Sequence, residues 1–283
     1  MSRGQGNSGA RRPGRAGSRR ANRAEVPGSA RVARADGDWV AGKHAAMAAL
    51  AERGTDVLEV FIQRGDAERR LQEAMELAAA LGVSAQLVPG PTLEAMAAGT
   101  RHQGIVLRMR SRPPPDFRTL LDELTRAPRD VLVLDGVDDP HNLGAALRCA
   151  AAVDAAGLVL PRSRAAPLTE VARKVASGGA ELVPVYPVPN LARALRALRE
   201  LGLPLLGLDG GSPTSIYQLD LSTPHVLIAG TEGDGMRQLT RSLCDVVASI
   251  PMPGRMESLN MSVAIGIALF EMLRQREARS SLA

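Results

Sequence analysis

The sequence predicts an α/β fold: a parallel sheet covered by helices on both faces, preceded by a smaller α/β unit. Three observations carry this. Short apolar runs at 131–134, 157–160, 181–185, 204–208, 226–229 and 246–250 have the length of strands buried on both sides. Helical patterns at 142–155, 168–176, 189–201 and 235–243 lie between them, which is the alternation of a parallel sheet. Three consecutive prolines in "SRPPPDF" (111–117) separate this region from shorter alternating segments.

From the front, residues 1–35 hold nine Arg and one Glu, a net +8. The whole chain is +5, so residues 36–283 carry about −3 by subtraction. Gly, Ser, Ala and Arg dominate this tail and cannot nucleate a core, so disorder and a salt-sensitive attraction to nucleic acid are expected. An Arg-rich organellar presequence is the rival reading, and the Gly and Pro through the segment argue against its amphipathic helix. Residues 36–110 read as a compact unit. Ala45, Ala49 and Leu50 suit a short helix stopped by Gly54; "VLEVFI" (57–62) is a strand; 66–82 is an amphipathic helix with a Gly stop. A strand at 84–89, a short helix around 91–98 and a strand at 104–109 complete it. Residues 111–118 form a semi-rigid extended linker, because prolines continue neither strand nor helix. The larger unit is 119–283.

Composition excludes several function classes. One Trp, two Tyr and three Phe leave no surface of stacked aromatics for bases, and the core must be aliphatic. Two cysteines without paired spacing, Cys149 and Cys244, suggest neither a disulfide framework nor a zinc site, and no metal is expected. No apolar run of about 18 residues and no signal peptide is visible, so a cytoplasmic protein is expected. Lys occurs only at 43 and 174 while Arg is abundant, which source-genome composition explains.

Ligands of parallel sheets sit beyond the carboxyl ends of strands. Three loops there are polar and Gly-bearing. The first, "DGVDDPHN", opens a helix that Asn142 can cap. Arg148 follows six residues later, sharing a face with Gly144; it either points to solvent, pairs with a carboxylate such as Asp154, or serves a site. The second, "GTEGDG", has Gly230, Gly233 and Gly235 for tight backbone, and Glu232 either contacts a ligand or holds the loop. Its glycine order is not the dinucleotide fingerprint, and no Gly-Lys-Ser/Thr of a P-loop occurs. The third, "PMPGRMESLN", ends with Ser258 and Asn260, either of which can cap the greasy helix that follows. One polar helix start is ordinary; three converging ones suggest a site.

"VDDPHNLGAALRCA", "IAGTEGDGM" and "IPMPGRMESLNMSVAIGIALFE" resemble the three ordered motifs of the SpoU-type RNA ribose 2′-O-methyltransferases, of the SPOUT class, over residues 131–275. "VAGKHAAMAAL" and "RHQGIVL" are similar to the front RNA-binding domain of family members that methylate guanosine in large-subunit rRNA. The resemblance implies an α/β-knot catalytic domain with a deep trefoil knot, behind a small L30e-like α/β RNA-binding domain. It implies S-adenosylmethionine as methyl donor, bound by Gly230, Ile250 and Leu259. It assigns Asn142, Arg148, Glu232, Ser258 and Asn260 to the polar active site, and it implies a homodimer acting on a guanosine ribose in 23S rRNA. A tRNA ribose methyltransferase, an rRNA enzyme giving antibiotic resistance, and a non-catalytic ribosome-assembly factor are the alternatives. Cys149 beside the Arg and Met261 after the Ser-Leu-Asn triplet depart from the usual pattern without touching the polar set.

Overall fold

The computed structural model describes residues 37–163, 168–255 and 258–280, so the Arg-rich segment 1–35 lies outside the described residues. The first sheet opens with β1 (Asp38–Ala41), a strand that the sequence reading left unassigned. After it come α1 (Lys43–Glu52), a 3-10 turn (Gly54–Asp56) and β2 (Val57–Gln63). The helix expected over 66–82 is two helices, α2 (Asp66–Arg70) and α3 (Gln72–Ala80). Leu71 breaks it at φ −116° and ψ 18°, and its side chain is buried in the core of this unit. β3 (Ala85–Val88), α4 (Gly90–Ala97) and β4 (Ile105–Met109) complete a sheet of order β1-β4-β2-β3. Only the β2–β3 pair is parallel.

The second sheet begins past the prolines. Asp116 caps α5 (Phe117–Arg126), its carboxylate accepting from Arg118 N at 3.0 Å. The succession is β5 (Val131–Leu134), α6 (Pro140–Ala152), β6 (Gly157–Pro161), α7 (Glu170–Ala176), α8 (Gly179–Leu182) and β7 (Val185–Val188). Next are α9 (Leu191–Glu200), β8 (Leu205–Leu208), a 3-10 turn (Ile216–Gln218), β9 (Val226–Ala229), α10 (Gln238–Leu243), β10 (Val246–Ala248) and α11 (Met261–Ser280). The apolar run 181–185 is therefore not a strand: its first half is the end of a one-turn helix, and the strand starts at Val185. Four apolar residues fit either form, and here Gly178, at φ 98°, turns the chain out of α7 directly into α8.

All pairs in the six-stranded sheet β10-β8-β9-β5-β6-β7 are parallel. β5 shows why its residues are apolar without alternation. Leu132 and Leu134 enter the core under α6 and α11, while Val131 and Val133 enter the core under α5 and α9. The chain leaves β5 toward β6 and β7, then returns to the other side for β8, β9 and β10. The boundary between β5 and β9 is the topological switch point, where α/β sheets present crevices.

Close helix packing depends on Gly144 in α6. A Cβ there would lie 2.4 Å from the Ala172 carbonyl oxygen and 2.8 Å from Val175 Cβ. Ala gains roughly 1 kcal/mol of helix propensity over Gly, but overpacking against a helix backbone costs about 1–3 kcal/mol. Gly144→Ala is expected to destabilise the protein by up to about 2 kcal/mol net, measured as a lowered denaturant midpoint.

The two sheets meet at α1, α7 and α8. Arg53 donates to Glu181 at 2.6 Å, and Arg173 bonds the other oxygen of the same carboxylate and reaches Asp38 at 3.4 Å. The Glu181 side chain is 2% exposed, so this is a desolvated carboxylate answered by two guanidinium groups. Among the described residues no helix is long and apolar enough to cross a membrane.

Candidate active site

A cavity of about 350 Å³ opens at the carboxyl ends of β8, β9 and β10. Its walls are Leu208 to Gly211, Ala229 to Gly235, and Ile250, Met252, Ser258 and Leu259, with Met261 and Ala264 of α11 closing it. Apolar side chains and glycine backbone dominate. Among the described residues the charged lining is Asp209, Glu232 and Asp234, with no Lys or Arg. Such a cavity presents backbone N–H and C=O groups to a planar ring and suits a ligand carrying positive charge.

The loop after β9 is folded on itself. Thr231 and Gly235 exchange two backbone hydrogen bonds of 3.1 Å, and Gly233 and Gly235 have φ of 107° and 65°. Gly230 lies against that closure: an added Cβ would stand 1.9 Å from the Gly235 carbonyl carbon. Buried Asp135, the residue after β5, fastens the loop from outside. It accepts from Arg237 N at 2.8 Å and Nε at 2.7 Å, and its own N–H donates to Ala229 O at 2.8 Å.

Three sequence-selected residues meet beside this loop. Asn142 Nδ2 donates to Glu232 Oε2 at 3.0 Å. Asn260 Nδ2 donates to both Asn142 Oδ1 at 3.0 Å and Glu232 Oε2 at 3.2 Å. Asn260 Oδ1 accepts from Ser262 N at 2.9 Å, so this side chain caps α11 and joins the network at once. Amide-to-carboxylate bonds are charge-assisted and hold Glu232 in one orientation. Its Oε1 makes no hydrogen bond among the described residues.

Asn142 does not cap α6. Asp139 does, accepting from His141 N at 2.8 Å, with Pro140 in the first turn. That backbone bond, with help from the His141 ring, also lowers the Asp139 carboxyl below its ordinary range. Freed from capping, Asn142 lies in the first turn, 8% exposed, and crosses to Glu232. Ser258, Leu259, Ile250 and Gly230 line the cavity together.

Arg148 stands apart. Six residues along α6 put it about 9 Å down the axis from Asn142 and turned well away. It is exposed, does not line the cavity, and has no hydrogen-bond or ion-pair partner among the described residues. Asp154 instead takes Arg129, at 3.2 Å. Beside Arg148, the Cys149 thiol is raised by burial against the opposing pull of that guanidinium, and burial pushes Cys244 up to about 11. Neither thiol offers a thiolate nucleophile at neutral pH. Among the described residues no group of three or more His, Cys, Asp or Glu is arranged to hold a metal.

Sequence reasoning overlooked the loop after β8, which supplies Asp209, Gly210 and Gly211 to the cavity. The signal was present as an Asp-Gly-Gly directly after an apolar run. Asp135 opens the first of the three polar loops, directly after the apolar run of β5.

Residues 130–270 match the SpoU rRNA Methylase family, and residues 39–115 match the RNA 2′-O ribose methyltransferase substrate binding family. Three similar relatives are each named 23S rRNA (guanosine-2′-O-)-methyltransferase RlmB. That of Yersinia pestis is 44% identical over 83% of this chain and 96% of its own. That of Haemophilus influenzae is 42% identical over 84% and 98%, and that of Xylella fastidiosa 41% over 84% and 96%. Among solved structures, the SpoU methyltransferase AviRb of Streptomyces viridochromogenes superposes with a TM-score of 0.67 at 23% identity, covering 85% of this chain and 90% of that one. An AdoMet-bound rRNA methyltransferase of Sinorhizobium meliloti gives 0.66 at 24% identity, over 83% and 86%.

Proposed function

The chain belongs to the SpoU rRNA methylase family, and on that premise we propose that it methylates the ribose 2′-hydroxyl of a guanosine in 23S rRNA, using S-adenosylmethionine. One observation carries the reading: the chain spans 96–98% of the length of relatives named for that reaction, at 41–44% identity. Both the catalytic and the substrate-binding segments of such an enzyme are thus present, bounded as 36–110 and 119–283 with the prolines between. The Arg-rich 1–35 adds non-specific RNA affinity.

The donor set fits S-adenosylmethionine. Gly230, Ile250 and Leu259 offer backbone and apolar surface for an adenosine, and the cavity's carboxylates suit a cationic ligand. When bound, that cofactor supplies an electrophilic methyl group on a sulfonium. The residues of the chain do the rest. Glu232, oriented by Asn142 and Asn260, has Oε1 available to a ribose hydroxyl. Ser258 adds a hydroxyl to the cavity edge. Arg148 orients the hydroxyl and its adjacent phosphate through a planar fork of donors. A guanidinium stays protonated, so its role is positioning and charge, with proton loss coupled to the phosphate.

Because Arg148 is outside the cavity of its own chain, a homodimer is part of the proposal. Val263 and Phe270 of α11 are 49% and 50% exposed and form one stripe with Ile267. α11 also approaches α6 beside Arg148, since a Cβ at Gly266 would lie 3.3 Å from Cys149 Sγ. Pairing this stripe with a second copy buries apolar surface and carries Arg148 toward the second site. The knotted path of the chain after β9 and the L30e-like character of the front sheet belong to the same reading.

The test is to delete the gene and map 2′-O-methyl positions across rRNA and tRNA. Loss of one guanosine methyl in 23S rRNA, restored by the purified protein, is expected. Loss in tRNA would replace the substrate, and unchanged methylation with no S-adenosylmethionine binding would make the chain an assembly factor.

A further inference from the structure

A second groove, of about 740 Å³, lies where the front sheet meets the methylase unit. Its lining includes Lys43, Arg70, Arg101 and Lys174, and among the described residues Glu94 is its sole carboxylate. All four cations are exposed, and none has an ion-pair partner among the described residues. Residues 36–283 are net negative by about 3, so four unanswered positive charges in one groove run against the background. The chain has two lysines among its 35 basic residues, and both are here, one from each unit.

The groove is built to stay in shape. His102 Nδ1 accepts from Gly104 N at 3.1 Å, so the proton sits on Nε2, which donates to Glu94 at 2.9 Å. That spends the Glu94 carboxylate inside the protein. Gln103, held at φ 52°, accepts from Lys43 N at 3.0 Å and ties the 101–104 loop to the start of α1. On the other wall, the turn after α7 is wedged between the two units. A Cβ on Gly178 would lie 3.2 Å from His44 O, and one on Gly179 would lie 3.1 Å from Arg148 Cα. A continuous lining therefore runs from Arg101 past His44 to Lys174 and Ser177, and α8, just beyond, packs on α6 at Arg148. The Arg53–Glu181–Arg173 contacts fix the two walls relative to each other.

We propose that this groove holds the phosphodiester backbone of the RNA on its way to Arg148, so that recognition is composite, with Lys174 of the methylase unit contributing as much as Lys43 of the front unit. This rests on the reading of the substrate as RNA. Among the described residues no Phe, Tyr or Trp lines the groove, and the His102 ring is tied to Glu94, so the contacts assigned to it are to phosphate. Lys suits that task as a flexible point charge.

The experiment measures the dissociation constant of the full chain for a 23S rRNA transcript across a KCl series. Lys43→Ala and Lys174→Ala are each expected to lower the slope of log affinity against log salt by about 0.7, and the double variant by about 1.4. Arg126→Ala, exposed on α5 away from the groove, leaves the slope as in the wild type. In turnover assays the loss falls on KM for RNA and not on the affinity for S-adenosylmethionine. Wild-type slopes in both Lys variants would overturn the groove. An effect of Lys43 with none of Lys174 would overturn its composite character, and an equal effect of Arg126→Ala would reduce it to net charge. Should the wild type bind rRNA but methylate none, the proposed reaction fails while the slopes still decide the groove.

Discussion

Arg148→Ala is expected to lower methyl transfer by roughly 10³-fold while S-adenosylmethionine affinity and thermal stability stay near wild type, since single charge-stabilising donors are worth about 10²–10³. Stability should not change because Arg148 is exposed and contacts no described partner. Cofactor affinity should not change because it does not line the cavity. Arg148→Lys separates two roles. A lysine loses its proton more easily but lacks the planar fork, so activity retained by Lys would favour proton acceptance, and activity lost would favour bidentate orientation. The position of Arg148 adds a sharper test. If it serves the cavity of a second copy, mixing Arg148→Ala with Glu232→Ala subunits regenerates one complete site per mixed dimer. Measurable activity from two individually dead proteins is the expected outcome. A mixture as inactive as its parts would require Arg148 to act on its own chain, and near-normal turnover by Arg148→Ala alone would remove it from catalysis.

How far the sequence could be read follows from what each residue answers to. The strands of the parallel sheet were legible because β5 and β9 are buried on both faces, and burial leaves a run of aliphatics that nothing else produces. The segment 181–185 was not, because so short a run carries no period and the deciding feature is the backbone at Gly178. β1 escaped because Gly37 and Gly42 crowd a four-residue strand whose only partner, β4, lies some 65 residues away. Within the site, the polar residues were visible, but their roles were redistributed. Asn142 read as a helix cap because capping is what an Asn near a helix start ordinarily does. Asp139 took that place, and Asn142 became the bridge to Glu232 and Asn260, 90 and 118 residues away. Arg148 was found by motif, yet its exposure on the far side of α6 could come only from three dimensions.

Gly230→Ala should cost the cofactor site more than any other single methyl group added to the chain. The new Cβ would stand 1.9 Å from the carbonyl carbon of Gly235, 2.1 Å from Met236 N and 2.2 Å from Gly235 O. All three are backbone atoms of the same loop, so no rotamer change relieves the overlap. The Thr231–Gly235 closure has to open, giving up two hydrogen bonds worth about 1 kcal/mol each, and the overpacking adds roughly 1–3 kcal/mol. A total of about 3–5 kcal/mol is less than the 5–15 kcal/mol that holds a domain together, so the fold survives with a displaced loop. The loss then appears in binding. Three kcal/mol corresponds to more than a hundredfold in affinity for S-adenosylmethionine. Gly254→Ala is the matched control: it lies in the loop after β10, a Cβ there would meet nothing within 4 Å, and it does not line the cavity. Titration calorimetry should show Gly254→Ala within about twofold of wild type and Gly230→Ala beyond a hundredfold weaker. Equal affinity in the two variants would mean that the loop after β9 does not form the floor of the cofactor site.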